Sequence, residues 1–117
     1  MPEPLRVLQQ RLAAFAAARD WQQFHSPKNL AMALSVEVAE LVEEFQWLTE
    51  EQSQALDAAR RERVRLELAD VFIYLLRLAD RLDVDLMRAA DDKIAQNERK
   101  YPVDRVRGDS RKYTEYD

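Results

Sequence analysis

Apolar residues recur at spacings of three and four along most of the chain, the period of helices with one face turned inward. Leu5, Leu8, Leu12 and Phe15 start the pattern, with charged or small residues between them, and predict a helix over Glu3–Arg19. Pro4 suits its first turn, where a missing backbone N–H loses no partner. Leu30, Leu34, Leu41, Phe45 and Leu48 predict a second helix over Pro27–Trp47, with Ser26 as N-cap. Thr49–Ser53 is polar and reads as a short loop. A third helix is predicted over Gln54–Leu82. Its first half, Asp57–Arg65, is charged and suits solvent. Its second half is apolar nearly all round apart from Glu67, Asp70, Tyr74 and Arg77, which implies burial on more than one side. In a chain this small a partner subunit is the expected second cover. Asp85 is a good N-cap for a fourth helix reaching Lys100, with Leu86, Ala89, Ala90, Ile94 and Asn97 as its inner stripe. Asn97 is a polar group at a core-type position there, and Pro102 stops the helix.

The connectors differ in character. Asp20–Asn29 holds Trp21, Phe24 and His25, an aromatic content unusual for a connector. These rings either cap the end of the core or, Trp21 above all, form a wall for a flat ligand. Val103–Asp117 contains Arg105, Arg107, Arg111 and Lys112 and has no strong periodicity, so an extended or mobile tail is expected. The reading is one all-α domain over 1–102 and a basic tail over 103–117.

Composition supports this and narrows the chemistry. With one Gly, four Pro and no Cys in 117 residues, the chain has helix-forming material and little for hairpins. The lack of Cys excludes disulfides, thiolate nucleophiles and cysteine metal sites, and fits a reducing compartment. A formal net charge of −4 provides no bulk attraction for nucleic-acid phosphates. The uncharged run at Leu30–Val36 is far too short to span a membrane, and no basic segment followed by an apolar core opens the chain. A cytoplasmic protein with no nucleic-acid or membrane partner is expected.

The acidic residues carry the candidate chemistry. Glu37 and Glu40 are three residues apart, on one helix face, and Glu37 falls on the apolar stripe of the second helix. Glu67 and Asp70 repeat the spacing on the third. If the two helices pack antiparallel across their short loop, four carboxylates meet. At ~4 Å and an effective dielectric of ~20, each pair costs roughly 4 kcal/mol. Protonation or a bound cation relieves that repulsion. All-oxygen donors select Mg²⁺, with Mn²⁺ as substitute, over zinc. A di-iron bundle needs Glu-x-x-His pairs, and the single histidine, His25, stands outside any such motif. Magnesium held this way shares its remaining positions with substrate phosphates and assists attack of water on phosphorus. The structural alternative is a helical assembly protein whose acidic pairs only make salt bridges, to Arg61, Arg63, Arg65 or Lys93.

Here the chain resembles the MazG-like nucleotide pyrophosphohydrolases of the all-α NTP pyrophosphatase superfamily. Their signature, Glu-x-x-Glu on one helix and Glu-x-x-Asp on the next, reads Glu37-Val-Ala-Glu40 and Glu67-Leu-Ala-Asp70. Arg19–His25, Glu43–Trp47, Asp70–Tyr74, Asn97–Pro102 and Ser110–Glu115 look like the dCTP pyrophosphatase branch, so the likeness covers nearly the whole chain. It implies a four-helix half-bundle that assembles into a homotetramer, a dimer of dimers, or at least a dimer. It implies Mg²⁺-dependent hydrolysis of a deoxynucleoside triphosphate to monophosphate and pyrophosphate. An enzyme of the same superfamily acting on dUTP or another nucleotide is the near alternative. By position, Glu37, Glu40, Glu67 and Asp70 hold the metal. One of these, or Glu43 or Glu44, orients or deprotonates the water, and Glu37, Glu40 and Lys93 are the catalytic set. Lys93 meets phosphate, Asn97 sugar or base, and Tyr74 the sugar. Trp21 and Trp47 enclose the base, with His25 beside them, and Arg111 and Lys112 fold over the triphosphate. Two departures stand out: Val36 replaces a Glu often found before the first signature Glu, and Leu12 lies where dCTP-preferring relatives carry a histidine.

Overall fold

The computed structural model describes residues 1–108, and every regular element among them is helical. The described residues form two compact units, one of Pro2–Val84 and one of Met1 with residues 85–108. The first contains α1 (Glu3–Ala18), a 3-10 turn (Gln22–Phe24), α2 (Pro27–Glu43), α3 (Glu50–Ser53) and α4 (Ala58–Arg81). The second contains α5 (Leu86–Lys100) and α6 (Val103–Val106). The fold is all-α. No helix among the described residues is long and apolar enough to cross a membrane.

Helix ends follow local chemistry. Ser26, Asp57 and Asp85 each accept a backbone N–H in the first turn of α2, α4 and α5. Asp85 also takes the amino group of Met1 at 3.2 Å, and these donors hold its carboxyl below the usual range. The helix predicted over Pro27–Trp47 is shorter, because its hydrogen bonds tighten after Glu43: Glu44 N–H bonds Leu41 O and Phe45 N–H bonds Val42 O. The predicted loop at Thr49–Ser53 instead forms the turn α3, fixed by a reciprocal capping box between Thr49 and Gln52. The helix predicted from Gln54 starts at Ala58, since Asp57 is the residue that caps it. Val103–Val106 is a helical turn where an extended tail is expected.

Two helices end without glycine. Asp20 (φ 54°) and Asp83 (φ 55°) adopt the left-handed conformation, which Asp tolerates better than most residues. Trp21 N–H reaches back to Ala16 O at 2.9 Å and Val84 N–H to Ala79 O at 2.9 Å, the Schellman arrangement. The first of these turns sets Trp21 against the α1 helix end.

Helix α4 is the central element of its unit, packed against both α2 and α1. Glu44, just past α2, pairs with Arg60 and Arg63 near the start of α4, so the two helices run antiparallel. Gln9 of α1 donates to Leu76 O of α4 at 3.2 Å. The fully enclosed core is small: Ala16, Leu30, Leu76, Ala79 and, unusually, Arg77. Val36, Val42, Leu66 and Leu68 on α2 and α4 stay about half exposed. In α5, Ile94 and Asn97 are exposed, whereas the sequence pattern placed them on an inward-facing stripe.

Candidate active site

On α2, Glu37 and Glu40 lie one turn apart, and on α4 so do Glu67 and Asp70. Antiparallel packing brings the pairs together: one carboxylate oxygen of each lies within 4.8 Å of the others. Glu37, Glu40 and Glu67 are half-buried. Glu37 Oε2 and Glu67 Oε2 are buried with no hydrogen-bond partner. Burial first, and then the neighbouring Glu40, Asp70 and Glu67 carboxylates, push the Glu37 carboxyl up to about 7. Burial and the Glu40 charge raise Glu67 as well.

Salt bridges do not explain this cluster. Arg63 pairs with Glu44 at 3.0 Å, Arg65 with Glu62 at 2.7 Å, and Lys93 donates to Gln96 at 3.1 Å. None of the ion pairs among the described residues engages Glu37, Glu40, Glu67 or Asp70. Orphaned buried oxygens, mutual repulsion and an all-carboxylate donor set fit a hard divalent cation.

Asp70 also borders a cavity of about 420 Å³ in the same unit. Leu8, Leu12, Phe15 and Ile73 give it apolar walls, and Trp21, His25 and Tyr74 line it too. Phe15 meets Trp21 edge-on at 5.6 Å between ring centres. Burial, and then the charges of Arg77 and Arg81, lower the His25 pKa from its ordinary value. Trp21, His25, Tyr74 and Asp70 are therefore brought to one place. Trp47 is not among the residues lining the cavity; it lies beyond α2 and is 87% exposed. Lys93 and Asn97 belong to the second unit, both exposed. Arg111 and Lys112 lie outside the described residues.

Arg77 and Arg11 are charged lining residues that sequence reasoning did not single out as functional. For Arg77 the signal was present: Asp70, Tyr74 and Arg77 share a face of α4 at helical spacing, in an otherwise apolar stretch.

A helical unit that gathers Glu-x-x-Glu and Glu-x-x-Asp carboxylates beside an aromatic cavity has the donors that a divalent-cation site requires. The chain belongs to the MazG-like family, whose profile matches residues 32–116. It is 50% identical over 117 residues to dCTP pyrophosphatase 1 of Homo sapiens, covering 97% of this chain and 69% of that protein. The Rattus norvegicus dCTP pyrophosphatase 1 is 47% identical with the same coverage. The crystal structure of a pyrophosphatase from Archaeoglobus fulgidus superposes with a TM-score of 0.82 at 40% identity, over 87% of this chain and 95% of that one.

Proposed function

We propose that the protein is a nucleoside triphosphate pyrophosphohydrolase that cleaves dCTP or a closely related deoxynucleotide to the monophosphate and pyrophosphate. The observation that carries this is the cluster of Glu37, Glu40, Glu67 and Asp70 within 4.8 Å, with Asp70 shared by the neighbouring cavity. Relatives named dCTP pyrophosphatase 1, aligned over nearly the whole chain, support the choice of substrate.

The four carboxylates would hold Mg²⁺, or Mn²⁺ in its place. When bound, the cation neutralises the cluster and polarises the phosphoryl oxygens of the substrate. The chain's own residues do the rest. Water attacks phosphorus, the anhydride bond breaks, and pyrophosphate departs. Glu44 is committed to Arg60 and Arg63. Glu37, Glu40, Glu67, Asp70 and the exposed Glu43 are left to orient that water and take its proton. Trp21, His25 and Tyr74 offer the base and sugar an aromatic surround that excludes water, and Trp47 offers a further bare ring. Lys93 is assigned to phosphate and Asn97 to sugar or base, with Arg111 and Lys112 over the triphosphate. A cytoplasmic role in deoxynucleotide housekeeping is part of the same proposal.

The test is pyrophosphate release from dCTP with Mg²⁺ and after chelation. Release is expected only with the metal, and no release in either condition refutes the proposal.

The assembly is proposed to be a homotetramer, with a dimer as the smaller form. The half-exposed Val36, Val42, Leu66 and Leu68 and the uncovered Ile94 support it, since apolar surface of this kind calls for a second copy. Light scattering at micromolar concentration is expected to give a multiple of 13.8 kDa. A monomer mass refutes the assembly.

A further inference from the structure

Arg77 is 5% exposed, and it lines the cavity that Trp21 and Tyr74 flank. Its hydrogen bonding is poor for a buried cation. Nη1 reaches Asp80 Oδ2 at 3.4 Å, a long contact, and Nε is buried with no partner. An Nε–H left in this state loses its hydration without replacing it. Arg77 also lines the cavity, so a ligand there that takes over from the long Asp80 contact can meet the guanidinium.

Position gives the acceptor its identity. Arg77 follows Asp70 by two helical turns on one face of α4, ~10 Å further along the axis. Asp70 belongs to the carboxylate cluster proposed for the phosphate end. A ligand anchored there by phosphate and extended through the cavity brings its far end to Arg77. The guanidinium offers parallel N–H donors and no acceptor, so it selects an edge with two adjacent acceptors. Cytosine has such an edge in O2 and N3. In uracil N3 carries a hydrogen and opposes the arginine donor, and in adenine N1 adjoins an amino donor. His25 lines the same cavity and can meet an amino group next to that edge.

We propose that Arg77 is a specificity-determining residue, its guanidinium donating to paired acceptors on the base, as O2 and N3 of cytosine provide. This rests on the nucleotide reading above.

The experiment measures pyrophosphate release by the full chain with Mg²⁺ on dCTP, dUTP and 3-deaza-dCTP, in which N3 is replaced by C–H. The native protein is expected to prefer dCTP over both by ~10- to 100-fold, expressed mainly in KM, the range for a lost hydrogen bond to a charged group. Arg77→Met is expected to bring both ratios to within about threefold, and Arg77→Lys to restore part of the preference. Equal use of dCTP and 3-deaza-dCTP by the native protein overturns the proposal, whether or not Arg77→Met folds. So does an Arg77→Met protein with native helicity and melting that keeps the native ratios, since Arg77 then acts structurally. Hydrolysis of none of the three by the native protein overturns the enzymatic reading itself, and the proposal with it.

Discussion

Replacing Glu40 with Gln is expected to lower kcat/KM for dCTP by about 100-fold or more, the scale on which removing one group that stabilises charge in the transition state is felt. The change keeps the side chain's size and removes one of four carboxyls whose oxygens lie within 4.8 Å. Steady-state pyrophosphate release checks the activity, and circular dichroism checks the fold, which is expected to be retained. The same variant without metal is expected to melt above the native protein at pH 8. Glu40 is the neighbour that contributes most to raising Glu37 after burial itself, and its charge also raises Glu67. Its removal relieves repulsion that the metal-free fold otherwise carries. Native turnover in Glu40→Gln would exclude Glu40 from the site.

The second large effect is on stability against pH. The Glu37 carboxyl stands at about 7 in the fold against 4.5 ordinarily. Between those values the folded chain holds a proton that the unfolded chain has lost. This contribution is complete below pH 4.5, falls as pH rises through 7, and is absent above. Glu67, raised in the same direction, adds to the slope. Metal-free protein is therefore expected to lose melting temperature from about pH 5 to about pH 7.5 on account of this cluster, and Glu37→Gln to flatten the loss. At the proposed site a divalent cation would replace the proton, so Mg²⁺ is expected to act above pH 7 and hardly at all at pH 5. At ~100 times its dissociation constant it adds about 2.7 kcal/mol, on the order of 10 °C for a chain of this size. Calorimetry with and without Mg²⁺ at pH 5 and pH 8 measures this. A melting point indifferent to Mg²⁺ at pH 8 would remove the metal from the account.

Much of the fold was legible because it depends on local periodicity. The helices at Glu3–Ala18 and Leu86–Lys100 follow the apolar spacing closely, and Ser26 and Asp85 cap where a side-chain oxygen can meet a free N–H. The ends of α2 and α4 were less legible. Apolar spacing runs on through Phe45 and Leu48, but the backbone tightens after Glu43. Thr49 with Gln52, and Asp57 alone, carried boundary signals that the polarity of the segment masked.

By itself the sequence determined the helices, the two acidic pairs at one-turn spacing and the family to which they belong. These depend on residues within a few positions of each other, and on motifs that survive in the order of the chain. The tertiary structure decided which groups meet. Antiparallel packing of α2 on α4 brings Glu37 and Glu40 to Glu67 and Asp70, and the turn at Asp20 sets Trp21 beside Phe15 and Tyr74 around a cavity. It also decided that Glu37 is half-desolvated and protonates near neutral pH, and that Arg77 is buried with an unused donor. Burial and the loss of partners are properties of packed surroundings drawn from distant parts of the chain, and no local spacing encodes them.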